Sequence, residues 1–259
     1  MKIVFSNISG GLIFGGQTYG ELIFQRVDLA AYIKFFRRLE LDILTLSEVC
    51  LEDTDGNSMM ADQLSKALKF PHFITQDVEE SHLGTSKRLG TAILSRYPIV
   101  GNETLRLKSP KIEIDRPDGQ HWIMHDKGAQ RVVLDTPDGP IDITTVSYFP
   151  FHHFNRRLDE PAFAPERQAF VDFLLASTNP AIIAGDFNNK YVQPLKRGFP
   201  ELFDTGFKEG IIASTTVIGF PDQQLDHILY QSRHFTATNG FVAKNGSDHY
   251  AVGVTLLSK

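Results

Sequence analysis

The run AIIAGD at residues 181–186 constrains the fold more than any other stretch of the chain. Ala181 to Ala184 are apolar on both alternating faces, as a strand is when it lies mid-sheet and is covered on two sides. Gly185 then lets the backbone turn, and Asp186, Asn188 and Asn189 follow where the strand leaves the core. Two readings satisfy that polar tail. One is an Asx-rich turn capping its own backbone; the other is a site held at the end of a rigid scaffold.

The same arrangement recurs along the chain. KIVFSN (2–7) ends in Asn7, DILTLSE (42–48) in Glu48 and DITTVSY (142–148) in Tyr148, while GTAILS (90–95) is a further strand. LDHILY (225–230) carries Asp226, and Asp248-His249 precede the last strand, YAVGVTLL (250–257). β-branched and apolar enrichment supports each strand. Between them lie helical stripes. Leu29, Tyr32, Ile33, Phe36 and Leu39 predict a helix over 27–40, and Met60, Leu64, Ala67 and Leu68 one over 58–69. Phe170, Val171, Leu174 and Leu175 predict a third over 166–177, entered through Pro165 and stopped at Asn179-Pro180. PDG turns at 117–119 and 137–139 predict antiparallel hairpins. The pattern is that of a layered α/β or α+β domain, sheets covered by helices.

A chain of 259 residues, 42% hydrophobic, can bury one sizeable core. No linker, repeat or low-complexity run divides it, which predicts a single domain over 1–259. With 26 Lys+Arg against 31 Asp+Glu the net charge is -5, so contact with nucleic acid requires a local basic face. Cys50 is the sole cysteine, which rules out an intrachain disulfide and suits a reducing compartment. Ser6, Asn7 and Ser9 interrupt the N-terminal apolar residues too early for a signal peptide. No apolar run approaches the roughly 20 residues of a membrane span. These features predict a cytoplasmic protein without a membrane span, and none marks an obligate protein partner.

Four carboxylates, two amides and one histidine therefore stand at strand margins: Asn7, Glu48, Asp186, Asn188, Asp226, Asp248 and His249. They are the ingredients of a hard-cation site with a general base. Mg²⁺ takes oxygen ligands and keeps several waters, so one or two carboxylates suffice. A histidine oriented by an aspartate can transfer a proton or stabilise developing charge.

In order along the chain, Asn7, Glu48 in LSEV, GTAILSRYPI, GDFNN, LDHIL and SDHYAV resemble the endonuclease/exonuclease/phosphatase superfamily. That superfamily includes pancreatic-type DNases, AP endonucleases, bacterial sphingomyelinases and inositol polyphosphate 5-phosphatases. The resemblance implies an α+β fold, a four-layer α/β/β/α sandwich of two mostly antiparallel sheets packed face to face and flanked by helices. It also implies Mg²⁺, with Mn²⁺ as a substitute, and in-line attack of water on a phosphoester. Glu48 corresponds to the principal metal ligand, with Asn7 beside it and Asp248 a further metal-side or phosphate-side acid. Asp186 corresponds to the residue that positions or deprotonates water, Asn188 to its phosphate-holding neighbour, His249 to the catalytic histidine and Asp226 to its orienting carboxylate. Whether Asp186 or His249 is the base stays open. Tyr148 stands at the family's strand-end position and is expected to bond a phosphate oxygen. Beyond Pro150, His152, favoured over His153, is a candidate to supplement it, the alternative being that both only pack or face solvent. Arg156 lies near enough in sequence to contact a phosphate.

The leading expectation for substrate is a nuclease-like phosphodiesterase, with nucleic acid among the phosphoester partners. A small-molecule or lipid-headgroup esterase and a non-catalytic binding protein are the alternatives. GFPDQQLDHIL lacks the Trp-Cys and Arg neighbours of inositol 5-phosphatases, and the tryptophans usual near the substrate face of exonuclease III-type enzymes are missing, Trp122 being the only one. GLIFGGQT (11–18) carries Gln17 where a P-loop needs lysine, and reads as a loop bordering the site. His121 and His125 have the spacing of a helical zinc pair, but the neighbouring turn predicts a strand or loop and a structural or surface role. Core packing is the first explanation for the 20 phenylalanines.

Overall fold

The computed structural model describes the chain apart from residues 19, 20, 22, 85, 118, 213 and 214. In chain order the strands are β1 (Lys2–Asn7), β2 (Leu12–Phe14), β3 (Phe24–Val27), β4 (Ile43–Leu51), β5 (His72–Glu80), β6 (Arg88–Ser95), β7 (Ile99–Leu107) and β8 (Glu113–Asp115). They continue as β9 (His121–Ile123), β10 (Lys127–Thr136), β11 (Gly139–Ser147), β12 (Ala181–Asp186), β13 (Phe207–Glu209), β14 (Asp226–Gln231), β15 (Phe235–Ala243) and β16 (Ala251–Ser258). The helices are α1 (Leu29–Arg37), α2 (Met59–Leu68), α3 (Ala164–Leu175) and the short α4 (Leu195–Gly198) and α5 (Pro200–Asp204).

Two six-stranded sheets carry the fold, in the orders β15-β16-β1-β4-β6-β5 and β13-β14-β12-β11-β10-β7. Each holds one parallel pair, β1 with β4 and β11 with β12, among antiparallel neighbours. Alternation along the strands sorts the apolar residues into three layers of core. Ile3, Phe5, Ile182, Ala184, Val252 and Val254 fill the space between the sheets. Val4, Leu44 and Leu46 meet Tyr32 and Phe36 of α1 and Leu64 of α2 on one outer face. Ala181 and Ile183 meet Phe170, Val171 and Leu174 of α3 on the other. β12 is therefore covered on both sides, and the α+β four-layer sandwich is the observed fold.

Local chemistry fixes the helix starts. The Asp28 carboxylate accepts the Ala31 N–H at 3.0 Å and opens α1. The Ser58 hydroxyl accepts the Ala61 N–H at 3.0 Å and donates to the Cys50 carbonyl at 2.7 Å, tying α2 to the end of β4. Several boundaries differ from expectation. α1 stops at Arg37, and α3 runs from Ala164 to Leu175. β11 ends at Ser147, leaving Tyr148 outside it. The 137–139 turn joins β10 to β11, with Thr136 opposite Gly139. At the 117–119 turn, Asp118 lies outside the described residues, but β8 and β9 pair around it with Asp115 opposite His121. GLIFGGQT is more than a loop, because Leu12–Phe14 pair with Phe24–Val27 as a two-stranded ribbon.

Parallel pairing brings the carboxyl ends of β1 and β4 to one rim, and those of β11 and β12 likewise. The antiparallel neighbour β14 starts at the latter, with Asp226 opposite Asp186.

Candidate active site

On the second sheet the site begins with Gly185. A Cβ there would lie 2.3 Å from the Val146 carbonyl oxygen, so only glycine lets β12 run this close to β11. Asp186 follows, and its Oδ1 accepts the Asn188 N–H at 2.9 Å. Asn188 has φ 51°, and its Nδ2 donates to the Tyr148 carbonyl at 2.9 Å. Across the strand pair Asp226 is fully buried, and its N–H donates to the Thr216 hydroxyl at 3.2 Å. His249 Nδ1 sits 3.0 and 3.1 Å from the two Asp226 oxygens, while its Nε2 lies 3.9 Å from Asp186 Oδ2.

On the first sheet the chain turns sharply after β1 through Ser9, Gly10 and Gly11, all at positive φ. The turn aims the Ser9 hydroxyl at Asp248, donating at 2.6 Å, and Ser247 donates to the same oxygen at 3.0 Å. Asn7 accepts the Ser9 N–H through Oδ1 and donates through Nδ2 to Glu48 Oε1, each at 3.0 Å. Glu48 stands in a β-bulge between Leu46 and Val49 with φ 53°. Holding a glutamate in that region costs about 1–3 kcal/mol, and bulges of this kind re-aim a side chain next to an active site. Tyr32 of α1 lies beneath, its hydroxyl donating to the Leu12 carbonyl at 2.7 Å. Burial, with Asp248 nearby, raises its pKa and keeps it a neutral donor.

Burial pushes the Asp186 carboxyl up to about 7; the His249 cation opposes this, while Asp226 and Glu48 add to it. For His249 burial disfavours the charge, but Asp226 and Asp186 outweigh it and hold the imidazole well above its ordinary value. Nearby, the buried Lys127 ammonium donates to the equally buried Glu79 at 2.6 Å. Burial disfavours its charge, and Glu79, Glu48 and Asp186 more than compensate. His249 thus answers Asp226 and Lys127 answers Glu79, leaving Glu48 and Asp248, joined by Asp186 once it ionises, as surplus negative charge. An all-oxygen set with surplus charge fits a hard divalent cation. Asp186, Asp226 and His249 also offer ligand atoms within 4.8 Å of one another, a group that could hold a metal ion.

Glu48, Asp186, Asn188, Asp248 and His249 line one end of a cavity of about 480 Å³, with Asn7 and Asp226 braced behind them. Phe24, Leu83, Trp122, Met124 and Phe154 form much of its wall. Tyr148 is not brought to this site. Its ring is buried among Phe149, Phe151, Phe170 and Phe199, 4.5 Å from Phe170, and its hydroxyl has no hydrogen-bond partner among the described residues. Only its main chain serves, donating to the Asp186 carbonyl at 2.9 Å and accepting from Asn188. His152 is buried behind the wall, donating from Nδ1 to the Asn188 carbonyl at 3.2 Å, and burial drives its pKa down to about 3. It is His153 that reaches the cavity, edge-on to Trp122. Arg156 pairs at the surface with Glu160 at 2.6 Å and does not line the cavity.

Sequence reasoning missed Glu79 and Lys127, which no local motif joins, and the bracing roles of Ser9, Ser247, Thr216 and Tyr32. It also undervalued His125 and Trp122. His125 and His121 both line the cavity; His125 stacks on His82, while His121, half exposed, is bonded to Asp115.

The endonuclease/exonuclease/phosphatase family model matches residues 6–249. The chain belongs to this family. It is thus a phosphoesterase of the endonuclease/exonuclease/phosphatase type. Among solved structures it is similar to a family member from Beutenbergia cavernae, with TM-score 0.70 and 16% identity over 100% of this chain and 71% of the other. A mannosyl-6-phosphatase from Bacteroides thetaiotaomicron matches with TM-score 0.62 and 14% identity over 99% of both chains. A 3′ phosphatase from Neisseria, bound to a product DNA hairpin, matches with TM-score 0.60 and 16% identity over 99% of both. At these identities the likeness is one of fold. No curated protein matches the chain.

Proposed function

We propose that the protein hydrolyses compact phosphoesters by in-line attack of water, assisted by a hard divalent cation. The observation that carries this is His249, 3.0 Å from Asp226 and 3.9 Å from Asp186, at the cavity end that Glu48 and Asp248 also line.

Glu48, oriented by Asn7, and Asp248 are the residues to hold Mg²⁺ or Mn²⁺, since His249 Nδ1 is already committed to Asp226. Once bound, such an ion neutralises charge on the phosphoryl and leaving oxygens. Asp186, with its raised pKa, accepts the proton of the attacking water. His249, held cationic, directs its Nε2–H at a phosphoryl oxygen, and Asp226 keeps the ring in that orientation. Asn188 lines the same pocket, its backbone fixed by Asp186 and its Nδ2 held by the Tyr148 carbonyl.

Compact substrates suit the site better than a polynucleotide. A cavity of about 480 Å³ is of small-ligand size. Lys127 is the single Lys or Arg among the described residues lining it, and Glu79 already pairs with it, whereas a phosphate backbone is bound through several cations. The second reading, a nuclease-like phosphodiesterase, is favoured by Trp122, a ring on which a base can stack, with the Arg116 guanidinium 3.9 Å from its centre. One panel separates the two: plasmid DNA, RNA, a chromogenic diester, a chromogenic monoester and sphingomyelin, each with Mg²⁺, Mn²⁺ or EDTA. The expected result is cation-dependent cleavage of the small esters, lost in His249→Ala and Asp186→Ala. Full activity in both variants overturns the assignment, and preferential cleavage of nucleic acid selects the second reading.

A further inference from the structure

The cavity wall beyond the catalytic end carries polar side chains that hydrolysis does not use. Glu79 is the penultimate residue of β5, His82 follows that strand on the connection to β6, and His125 lies just before β10; all three line the cavity that Glu48, Asp186 and His249 share. Glu79 is 3% exposed. Its Oε1 accepts from Lys127, while its Oε2 is buried without a hydrogen-bond partner among the described residues, 3.9 Å from His82 Nδ1. The His82 and His125 rings stack with centroids 5.7 Å apart and 25° between their planes.

A buried carboxylate oxygen lacking a donor is costly, and a ligand that brings a donor relieves the cost. The 3.9 Å gap is too long for a direct hydrogen bond. That separation is one that a single oxygen atom bridges at about 2.8 Å from each partner. Charge decides what that oxygen belongs to. Lys127 already neutralises Glu79, so a second cation has little to gain there, and an ionised phosphate oxygen can only accept and would face the carboxylate. A hydroxyl donates to Glu79 and accepts from an imidazole N–H. Burial holds His125 below its ordinary pKa, which keeps that part of the wall uncharged. Leu83, Met124 and Phe24 supply apolar surface for a carbon skeleton beside it.

We propose that Glu79, His82 and His125 form a hydroxyl-recognising subsite, so that the alcohol portion of the substrate is an uncharged polyol, a sugar or glycerol unit, esterified to the phosphate at the catalytic end. This rests on the phosphoesterase reading above and names its substrate class.

The test compares kcat/KM for glucose 6-phosphate and glycerol 3-phosphate with hexyl and phenyl phosphate, as monoesters and as their methyl diesters, with Mn²⁺ present. The enzymes compared are the wild type, His82→Phe and His125→Phe, which keep a ring at each position. The wild type should prefer a polyol ester over hexyl phosphate by tenfold or more. In the variants that ratio should fall to within threefold, mainly through KM for the polyol ester. Equal cleavage of polyol and hexyl esters by the wild type, or an equal fall on both in the variants, overturns the subsite and leaves the phosphoesterase reading standing. No cleavage of any ester overturns both.

Discussion

His249 shows how much one side chain depends on its neighbours' charges. On the proposed mechanism, replacing it with alanine removes the cationic donor at the phosphoryl oxygen, and kcat/KM should fall by about a hundred- to ten-thousandfold, the range of positioned acid–base groups. Asp226→Asn should act through it. Without that carboxylate less opposes the effect of burial, so the imidazole should lose its proton at lower pH and the alkaline limb of the kcat/KM profile should move to lower pH; an unmoved limb would deny the pairing its role. The acidic limb should follow Asp186, whose pKa burial pushes up to about 7. Activity should rise as that carboxyl ionises, and because a nearby cation favours the ionised form, more Mg²⁺ should shift this limb to lower pH. Lys127→Ala strands the Glu79 charge and should cost about 3–5 kcal/mol in urea unfolding, while joint replacement by Lys127→Met and Glu79→Leu should recover most of it. At this scale the sequence was informative wherever a polar residue stands at the margin of an apolar strand, ending it at Asn7 and Asp186 and opening it at Asp226. It misled at Tyr148, although alternation held the answer: Val146 faces α3, so Tyr148, two residues on, faces it too. Glu79 and Lys127, 48 positions apart, meet only in three dimensions.

At the level of strands and helices, what was legible was whatever had to be buried. β1 and β12 fall on their predicted bounds, and β4, β6, β14 and β16 lie within a few residues of theirs. β5, β7, β13 and β15 escaped notice, and all four are sheet edges. An edge strand can be as polar as HFITQDVEE because solvent or a loop covers part of it. β10 was reachable only through the turn at 137–139 that joins it to β11. The tight β11–β12 approach gives this scale its own prediction. Gly185→Ala places a Cβ 2.3 Å from the Val146 oxygen and must push the strands apart just before Asp186. Stability should drop by about 1–3 kcal/mol, as in other overpacked cores. kcat should drop with it, and a variant that melts early yet turns over normally would show that this strand spacing does not matter to the site. Ser58→Ala, which removes the α2 cap at a residue that does not line the cavity, should cost about 1 kcal/mol in thermal melting and spare kcat.

For the molecule as a whole, the proposed cation site should make stability a function of cation concentration. Mg²⁺ should raise the melting temperature progressively, by an amount worth about 2.7 kcal/mol at a hundred times its Kd, and Glu48→Gln should blunt the rise. A melting curve indifferent to Mg²⁺ would argue against the Glu48 assignment. Among the described residues no helix is long and apolar enough to cross a membrane. The division of labour between the sheets has a mechanical side as well. His249 enters from the segment leading into β16 of the first sheet, while Asp186 and Asp226 belong to β12 and β14 of the second. The distance from imidazole to carboxylate is therefore set by the thickness of the filling between the sheets, where Phe5 and Val252 press on Ile182 and Ala184. Those side chains touch no substrate, yet they act as the spacer that gauges the reach of one half of the catalytic apparatus to the other.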